Sequence, residues 1–432
     1  MIFKWRLIYY YFKYKYLIRF SSRKYLLNYQ TQKIKKHLRY ICQRSPFYAE
    51  YAEKDLCEFP IIDKKIMMDH FDTMNTVGVN KEVAFDIAQI AERSRDFREK
   101  YNNLTIGLSS GTSGNRGLFI VSDLERAKWA GVLLAKILPK GIFHPYKIAF
   151  FLRADSNLYQ SVNSKKIAFR FFDLIETLET NIIRLNHFCP DIIVAPASML
   201  KLLAERFDQL KIHPYKLISV AEVLDEIDRS FIEKVFGLEC DEIYQATEGF
   251  LGYRKGSKFT INEDIVYIEK EYIGEGRFVP IITDFTRKSQ PIIRYRLNDI
   301  WKECKQQSGI YLSVDKIEGR EDEVIILKDR SNKLKYIFPD FISRIIITAS
   351  NDIQEYRVTV NGDLLTIAIE LKIKNEINRH SIETQIKKMI TDLLERNDVE
   401  VNSITFCPYT PQAKHEKKRR IFFSSNHISN TH

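Results

Sequence analysis

The chain carries, between two apolar runs, the stretch Ser109-Ser110-Gly111-Thr112-Ser113-Gly114-Asn115-Arg116-Gly117. The runs on either side, 104–108 and 118–121, have the length and composition of β-strands. Glycines let the backbone approach an anion closely and hydroxyl groups add hydrogen-bond donors, so such a loop suits phosphate oxygens. It is not a Walker A loop, because it lacks Gly-Lys-Ser/Thr and a strand, not a helix, is predicted after it. By itself the stretch leaves a simple turn open as the alternative.

Short apolar runs alternate with helical patterns from this loop to Glu248, which predicts crossover units and largely parallel sheets covered by helices on both faces. The predicted elements are helix 123–138, strand 147–152, mostly helix over 171–185, strand 191–195, helix 198–207, strand 217–220, helix 225–236 and strand 241–244.

The pattern changes after Glu248. Residues 258–318 contain short strand-like runs separated by turns, the last at 309–314, and predict an antiparallel β region. From about Arg320 the order strand, helix, two strands, helix and strand predicts a small α+β domain. We therefore expect an α/β protein with a basic, aromatic helical arm at 1–48, a large domain at 49–319 and a small C-terminal domain at 320–432.

Basic residues are concentrated at the N terminus. The 432 residues include 67 Lys and Arg against 56 Asp and Glu, a formal net charge of +11. Residues 1–49 hold twelve of the basic side chains and no acidic one, so the rest of the chain is nearly neutral. A protein that grips nucleic acid usually spreads its excess of Lys and Arg over the binding domain. The charge distribution argues against that class.

The N-terminal segment is also rich in tyrosine and predicts a helix over 25–42, because apolar residues recur there at helical spacing. Its longest apolar run, 7–12, is far shorter than the roughly 20 residues of a membrane-spanning helix. Packing on the body of the protein, contact with an anionic membrane surface and an arm for nucleic acid remain open, in that order of preference. Six cysteines and nine histidines lie without metal-ligand spacing, so no structural zinc is expected.

Three further segments carry chemically suited side chains. An aromatic ring, a hydroxyl and a carboxylate follow each other at a predicted strand end, an acid closes a second strand, and a glycine marks a bend between domains. These segments are Tyr244-Gln245-Ala246-Thr247-Glu248-Gly249, residues 283–299 ending in Asp299, and Glu318-Gly319-Arg320-Glu321-Asp322-Glu323.

In their order and spacing the four segments resemble the adenylate-forming superfamily of acyl- and aryl-CoA ligases. The resemblance extends from about Ser45 to the C terminus and is greatest to the branch around phenylacetate-CoA ligase, coenzyme-F synthetase-related proteins and capsule-biosynthesis enzymes. It implies a large N-terminal domain of parallel sheets plus an antiparallel β region, with a small mobile C-terminal domain. It also implies ATP and Mg²⁺, with CoA as one acceptor.

The resemblance further implies residue roles. Ala221 and Glu222 would line the adenine site, Tyr244 would stack on the base, Thr247 would contact the α-phosphate and Glu248 would bind Mg²⁺. The β- and γ-phosphates would be held by Ser109, Ser110, Gly111, Thr112, Ser113 and Gly114.

Towards the C terminus, Asp299 would accept the ribose hydroxyls with help from Arg320, and Asp322 corresponds to the hinge of the small domain. The catalytic lysine of the family matches Lys417, while Lys418 and Lys414 are alternatives and a merely solvated basic tail stays open. The acid pocket is expected near Asn157, Tyr159, Ala195 and Pro196, with the alternative that Pro196 simply ends its strand left open.

The chain departs from the family pattern at three places. Asn115-Arg116-Gly117 stands where many relatives have Pro-Lys-Gly, Gln245 replaces a common glycine, and no glycine follows Gly319-Arg320 at the usual distance. The adenylation half-reaction is therefore expected more firmly than transfer to CoA.

The expected function is ATP-dependent activation of a small-molecule carboxylic acid as an acyl-adenylate, followed by transfer to CoA, an amine or a sugar hydroxyl. Transfer of AMP to a hydroxyl substrate and a non-catalytic nucleotide-binding role in polysaccharide biosynthesis are the alternatives. We expect a cytoplasmic enzyme that binds no nucleic acid, with peripheral contact at the inner membrane face through residues 1–48 left open.

Overall fold

A computed structural model describes residues 2–94, 101–108, 117–152, 163, 166–174, 176–307, 309–320, 325–328, 330–331, 334–337, 339–350, 352–362, 364–396, 398–410 and 420–424. The chain divides into two compact units. The first consists of Met1–Leu224, Asp228–Leu297 and Trp301–Lys316, and the second of Asp225–Ile227, Asn298–Ile300 and Ile317–His432. The arm expected at 1–48 belongs to the first unit, and divisions at 48/49 and 319/320 stay predictions.

Helices occur in both units. In the described residues they are α1 Ile2–Phe12, α2 Arg23–Cys42, α3 Lys64–Asp69, α4 Phe71–Met74, α5 Lys81–Ser94, α6 Asp123–Ile137, α7 Leu178–Phe188, α8 Ala197–Glu205, α9 Glu226–Phe236, α10 Pro339–Ala349 and α11 Arg379–Glu395. A π-helical turn, Lys13–Leu17, follows α1 directly.

The strands of the first unit begin with a hairpin. They are β1 Leu104–Leu108, β2 Leu118–Ser122, β3 Tyr146–Leu152, β4 Ile167–Asp173, β5 Ile192–Ala195, β6 Lys216–Val220, β7 Cys240–Ala246, β8 Gly249–Lys255, β9 Lys258–Ile261, β10 Val266–Gly274, β11 Arg277–Asp284, β12 Ile292–Arg296, β13 Asp299–Glu303 and β14 Ser313–Arg320, of which β13 and β14 extend into the second unit.

Twelve of these strands form one sheet in the order β10-β11-β13-β14-β9-β8-β7-β6-β5-β3-β4, with β12 beside β11. Strands β4, β3, β5, β6 and β7 are parallel. At β7–β8 the pairing becomes antiparallel, and it stays so at β8–β9, β9–β14 and β10–β11. The predicted parallel and antiparallel parts are both confirmed, and they are joined in one continuous sheet.

Alternate residues of the parallel strands pack on opposite faces of the sheet, as the two-residue period of a strand requires. Ile148, Phe150 and Val194 pack on one side in a core that includes α1 and α6. Ala149 and Phe151 pack on the other side, in a core formed with α7, α8 and α9. Helices therefore cover both faces, which explains why these strands are apolar along their whole length.

Two predicted elements were right only in part, because their first residues were placed too early. The helix predicted over 171–185 begins only at Leu178, because Phe171 belongs to β4 and pairs with Phe150 of β3. The Thr177 hydroxyl accepts a hydrogen bond from the amide of Thr180 and caps the helix there. The strand predicted at 309–314 begins at Ser313, where pairing with Thr260 starts.

The N-terminal helices pack on the large sheet. Leu7 and Tyr11 are buried in the same core as α6, and α2 buries Gln30, whose amide donates to the carbonyl oxygens of Glu263 (2.9 Å) and Val266 (3.2 Å). Arg23 forms an ion pair with Glu263. Packing on the protein's own body, the preferred interpretation of this segment, is confirmed. In the described part of the chain, no helix is long and apolar enough to cross a membrane.

The second unit has its own sheet and core. Its strands are β15 Ile325–Lys328, β16 Leu334–Ile337, β17 Ile353–Asn361, β18 Thr366–Ile373, β19 Ser403–Pro408 and β20 Ile421–Ser424. The order in the four-stranded sheet is β19-β18-β17-β20, with an antiparallel pair at its centre and a parallel strand at each edge. Ile386 and Ile390 of α11 are fully buried in this core. The predicted α+β character is confirmed.

Candidate functional site

The predicted site residues of the first unit gather at the carboxyl ends of three neighbouring parallel strands. Pro196 follows β5, Ala221 and Glu222 follow β6, and Thr247 follows β7. The last registered pair of β6 and β7 is Val220 with Ile243, so the chain segments beyond it lie side by side. The carboxyl edge of an open α/β sheet is where such folds bind ligands.

The Ala221–Glu222 segment is held in an unusual backbone conformation. Ala221 has φ = 65°, a left-handed conformation that costs free energy for a residue with a Cβ atom and often occurs at functional sites. The turn aims the Glu222 carboxylate at the start of α8, where it accepts a hydrogen bond from the amide of Ser198 (3.0 Å). The ends of β5 and β6 are thereby tied together.

Tyr244, the residue predicted to stack on adenine, lies near the end of β7 and is half-buried. Its ring meets the fully buried Trp301 edge to face, with 5.6 Å between ring centroids. The pairing of β7 with β8 shifts register between Tyr244 and Gln245. Such a bulge changes the direction of the following side chains. It occurs where the family commonly has glycine, so Gln245 lies at a bend of the strand.

Thr247 and Glu248 form a two-residue turn between β7 and β8, closed by the pair Ala246 and Gly249. Both side chains are half-buried. A Cβ atom on Gly249 would lie 2.8 Å from Oδ2 of Asp284. The turn therefore passes so close to a fully buried carboxylate that only glycine fits, and burial raises the pKa of that carboxylate.

Arg287 is a site residue to which the sequence assigned no role. One guanidinium nitrogen donates to the carbonyl oxygen of Thr247 (2.9 Å) and the other to that of Ile120 (3.2 Å). Ile120 belongs to β2, the strand that follows the glycine-rich loop. Arg287 therefore links the Thr247–Glu248 turn to the predicted phosphate-binding hairpin. In the sequence, a role for Arg287 was indicated by its position within the 283–299 segment quoted above.

Glu125 is the buried anionic partner of Arg287 in this link. Its carboxylate accepts hydrogen bonds from the amides of Ser122 (2.8 Å) and Ser289 (2.9 Å) and from both serine hydroxyls. Burial opposes ionisation, but the charge of Arg287 and the serine hydrogen bonds outweigh it and lower the pKa of Glu125. A buried anion thus faces the buried cation of Arg287.

Gln290 completes the attachment of this turn to β2. Its side-chain oxygen accepts from the amide of Ile120 (3.0 Å) and its amide nitrogen donates to the carbonyl oxygen of Leu118 (3.1 Å). The Gln290 side chain thus makes two hydrogen bonds to the backbone of β2, as a neighbouring strand would. The strand predicted before the loop and the strand predicted after it are confirmed as an antiparallel hairpin, closed by the pair Leu108 and Leu118.

Several predicted site residues lie outside the described residues, and their roles stay predictions. Asp299 is the first residue of β13 and Arg320 the last of β14. Both belong to the second unit, and their roles at the ribose stay predictions as well. The residues outside the description are Ser109, Ser110, Gly111, Thr112, Ser113, Gly114, Asn157, Tyr159, Asp322, Lys414, Lys417 and Lys418.

Glu248 offers a single carboxylate to a magnesium ion, which would then have to be held mainly by a bound nucleotide. Within the described residues, no group of three or more His, Cys, Asp or Glu side chains could hold a metal by itself. Mg²⁺ is usually bound by one or two carboxylates together with substrate phosphates and water. A single half-buried carboxylate on a turn is compatible with that mode of binding.

Comparison with known proteins yields relatives along most of the chain, although no family model matches. Protein CapK of Staphylococcus aureus is 22% identical over 425 residues, covering 92% of this chain and 89% of CapK. Phenylacetate-coenzyme A ligase of Pseudomonas putida is 26% identical over 231 residues. That alignment covers 48% of this chain and 51% of the ligase, so only about half of each protein is matched.

Among solved structures, 2-hydroxyisobutyryl-CoA ligase in the postadenylation state, in complex with R3-HIB-AMP, superposes with a TM-score of 0.67. The match has 14% sequence identity and covers 92% of this chain and 89% of that chain. The fold is therefore that of the adenylate-forming ligases. Taken with the ordered motifs and the relatives above, these likenesses support the resemblance of the chain to the phenylacetate-CoA ligase-like branch of the adenylate-forming superfamily.

Proposed function

We propose that the protein activates a carboxylic acid with ATP, forming an acyl-adenylate and pyrophosphate, and then transfers the acyl group to CoA. The observation that carries this proposal is the half-buried Thr247–Glu248 turn, which Arg287 ties to the strand following the glycine-rich loop. The turn thus lies where nucleotide and loop would meet. The names of a curated relative and of a structural neighbour, both CoA ligases, support it.

Recognition of the nucleotide is divided among the strand ends. We propose that Tyr244 stacks on adenine beside Ala221 and Glu222, and that Asp299 binds the ribose hydroxyls with Arg320. The loop residues Ser109 to Gly114 would surround the β- and γ-phosphates with amides and hydroxyls. When bound, Mg²⁺ would neutralise charge on the phosphate oxygens, with Glu248 as its protein ligand.

In the first half-reaction a carboxylate oxygen of the acid attacks the α-phosphorus. A new oxygen–phosphorus bond forms, and the bond from the α-phosphorus to the leaving pyrophosphate breaks. We propose that the Thr247 hydroxyl donates to an α-phosphate oxygen, and that the Lys417 ammonium offsets the negative charge that develops between the reactants. Both groups act by orienting and stabilising, since the reaction itself needs no protein nucleophile.

The acid would bind beside the end of β5. Ala195 is the last residue of this strand and is fully buried, and Pro196 follows it directly. We propose that Asn157 and Tyr159 contribute the remaining side chains of the acyl pocket. For the second half-reaction we propose that the small domain rotates at Asp322 and brings the acceptor thiol to the acyl carbon, where a carbon–sulfur bond forms, the bond from the acyl carbon to the phosphate oxygen breaks and AMP leaves. We place the reaction in the cytoplasm, where ATP and CoA are available.

A carboxylate-dependent exchange of labelled pyrophosphate into ATP tests the first half-reaction. We expect exchange with at least one member of a panel of aliphatic and aromatic acids, and its loss in Glu248→Gln. Arg330→Met is the matched control, because this side chain is 68% exposed and pairs with an equally exposed glutamate. Protein that binds ATP but exchanges no pyrophosphate with any acid contradicts the proposal.

Gln245 favours a second candidate, transfer of AMP to a hydroxyl of the substrate. Its side chain lies at the bulge of β7, where the common glycine of the family would leave more room for an incoming acyl group or thiol. Intact-mass spectrometry distinguishes the two candidates. A stable product that retains AMP supports adenylyl transfer, whereas a thioester with release of AMP supports the CoA ligase.

A further inference from the structure

Exposed apolar side chains are concentrated on the N-terminal helices. Of the 23 large hydrophobic side chains that the described residues expose to solvent, eight lie within residues 2–27. They include Ile2 (69% exposed), Trp5 (68%) and Leu17 (75%). Single exposed apolar residues are ordinary on a protein surface, but a group of this density marks an interaction site.

The most exposed apolar residues of α1 lie on one side of the helix. Leu7 and Tyr11, four residues apart, are buried against α6. Ile2, Trp5 and Tyr9 follow the spacings of three and four residues that keep side chains on one face, and they are exposed on the side away from α6. We call Ile2, Trp5, Ile8 and Tyr9 the outer face of α1.

This helix is a fixed part of the protein. A Cβ atom at Gly131 of α6 would lie 2.7 Å from the carbonyl oxygen of Leu7 and 2.8 Å from the amide nitrogen of Tyr11, so the two backbones are in direct contact. Lys15 also donates to the carbonyl oxygen of Ala135 (3.1 Å). The outer face is therefore presented by a packed helix in a defined orientation.

The apolar surface continues beyond the helix, and its edges are basic. Phe12 contacts Phe143, which is 66% exposed, with 5.8 Å between ring centroids. Arg6 is exposed beside the outer face, and Lys4 is exposed on the same helix. Because the chain has no acidic residue before Glu50, positive charge around this surface is not compensated from within the segment.

We propose that the outer face of α1 docks the protein on an anionic lipid bilayer, with the helix lying in the plane of the headgroup interface. Tryptophan and tyrosine side chains are favoured at that interface, and lysine and arginine at its rim attract anionic headgroups. Exposed aliphatic residues add nothing to binding a nucleic-acid backbone. A second copy of the chain would bring the same uncompensated positive charge to the contact.

Flotation of the full chain with phospholipid vesicles tests the proposal. Wild-type protein should float with vesicles of phosphatidylcholine and phosphatidylglycerol and stay unbound with phosphatidylcholine alone. Trp5→Ser combined with Tyr9→Ser should weaken binding at least about tenfold through lost apolar burial. Lys4→Gln and Arg6→Gln should each weaken it about fivefold and reduce its sensitivity to salt.

Ile183→Ser combined with Ile377→Ser is the matched control, because both side chains are highly exposed but lie far from α1 in the sequence. It should bind vesicles like the wild type. Thermal unfolding of every variant shows whether it is folded. Lys4→Gln and Arg6→Gln test vesicle binding independently, because they leave the apolar side chains unchanged. Equal flotation of the wild type and the Trp5→Ser/Tyr9→Ser variant overturns the proposal. A second outcome also overturns it: vesicles do not bind, and the Trp5→Ser/Tyr9→Ser variant instead abolishes binding of a short RNA or formation of a dimer.

Discussion

The guanidinium of Arg287 donates a 2.9 Å hydrogen bond to the carbonyl oxygen of Thr247, forty residues earlier in the chain. The same group reaches Ile120 on the strand after the glycine-rich loop and faces the buried carboxylate of Glu125. One buried cation therefore joins the two segments between which the nucleotide is proposed to bind. Arg287 holds these two segments and is not itself proposed to contact substrate, so we regard it as a positioning residue.

Replacing Arg287 should affect both stability and the proposed adenylation. Arg287→Met leaves the Glu125 carboxylate without its buried cation, a change that typically costs about 3 kcal/mol or more. Urea unfolding measures this loss, and pyrophosphate exchange under conditions where the variant is folded should show a lower kcat. Arg287→Lys should recover part of the stability, because it restores the charge without both hydrogen bonds. An Arg287→Met variant as stable and active as the Arg330→Met control contradicts the assigned role.

Gly249→Ala should displace the Thr247–Glu248 turn. The new Cβ atom would lie 2.8 Å from a carboxylate oxygen of the buried Asp284, which is held by the amide of Thr286 and cannot move freely. Overpacking of this kind costs about 1–3 kcal/mol. We expect a lower unfolding midpoint and weaker ATP binding by isothermal titration. Gly309→Ala is the control, since nothing lies within 4 Å of its added Cβ. Equal unfolding midpoints and equal ATP binding of the two variants contradict this explanation.

Gly131→Ala should loosen α1 from the protein. Alanine favours a helix over glycine by about 1 kcal/mol, which by itself predicts a more stable α6. The added Cβ, however, would lie 2.7–2.8 Å from backbone atoms of α1, which cannot rotate away. The overpacking cost of about 1–3 kcal/mol should outweigh the gain. Thermal unfolding and limited proteolysis of residues 2–20 report the effect, and a stabilised, protease-resistant variant contradicts the packing.

His37 should make the stability of the protein depend on pH. It is 3% exposed, neither ring nitrogen has a hydrogen-bond partner among the described residues, and burial beside Lys128 and Lys288 lowers its pKa from 6.5 to about 3. Between these two values the unfolded chain binds a proton that the folded chain does not, so stability is lost as pH falls below 6.5.

The wild type should therefore lose about 2 kcal/mol more than His37→Leu when urea unfolding at pH 5.0 is compared with pH 7.5. Carboxylates that titrate in the same range contribute equally to both proteins and cancel in the difference. At pH 7.5 the variant should be as stable as the wild type or more so, because it removes two buried polar atoms without partners. Parallel pH profiles of the two proteins show that His37 has an ordinary pKa.

Three single substitutions test the proposed catalytic lysine. Lys417→Ala should slow pyrophosphate exchange by about 10²–10³-fold, the usual effect of removing one group that stabilises charge in the transition state. Lys414→Ala and Lys418→Ala change the net charge equally and serve as controls, with exchange near that of the wild type. A larger loss in Lys418→Ala moves the assignment by one residue, and near-normal rates in all three indicate a solvated basic tail.

The sequence by itself determined the class of fold and the order of its chemical segments. Strand-to-helix alternation, the glycine-rich hairpin and the Tyr244–Gly249 segment are local patterns, so a few adjacent residues suffice to predict them. Prediction failed where local signals are ambiguous, as at Phe171, which lies in an apolar run too short for its periodicity to separate a strand from a helix. There the tertiary pairing with Phe150 decided for a strand.

Only the tertiary structure decided how these segments are held together. Arg287 and Ile120 are 167 residues apart, Glu125 and Ser289 are 164 apart, and no spacing in the sequence predicts such contacts. The same holds for Gly131. In the sequence it is only a glycine that destabilises a helix, and its role becomes visible when α1 packs against it. Local propensity acts over a turn or a strand, whereas burial and the pairing of buried charges depend on which distant segments the fold brings into contact.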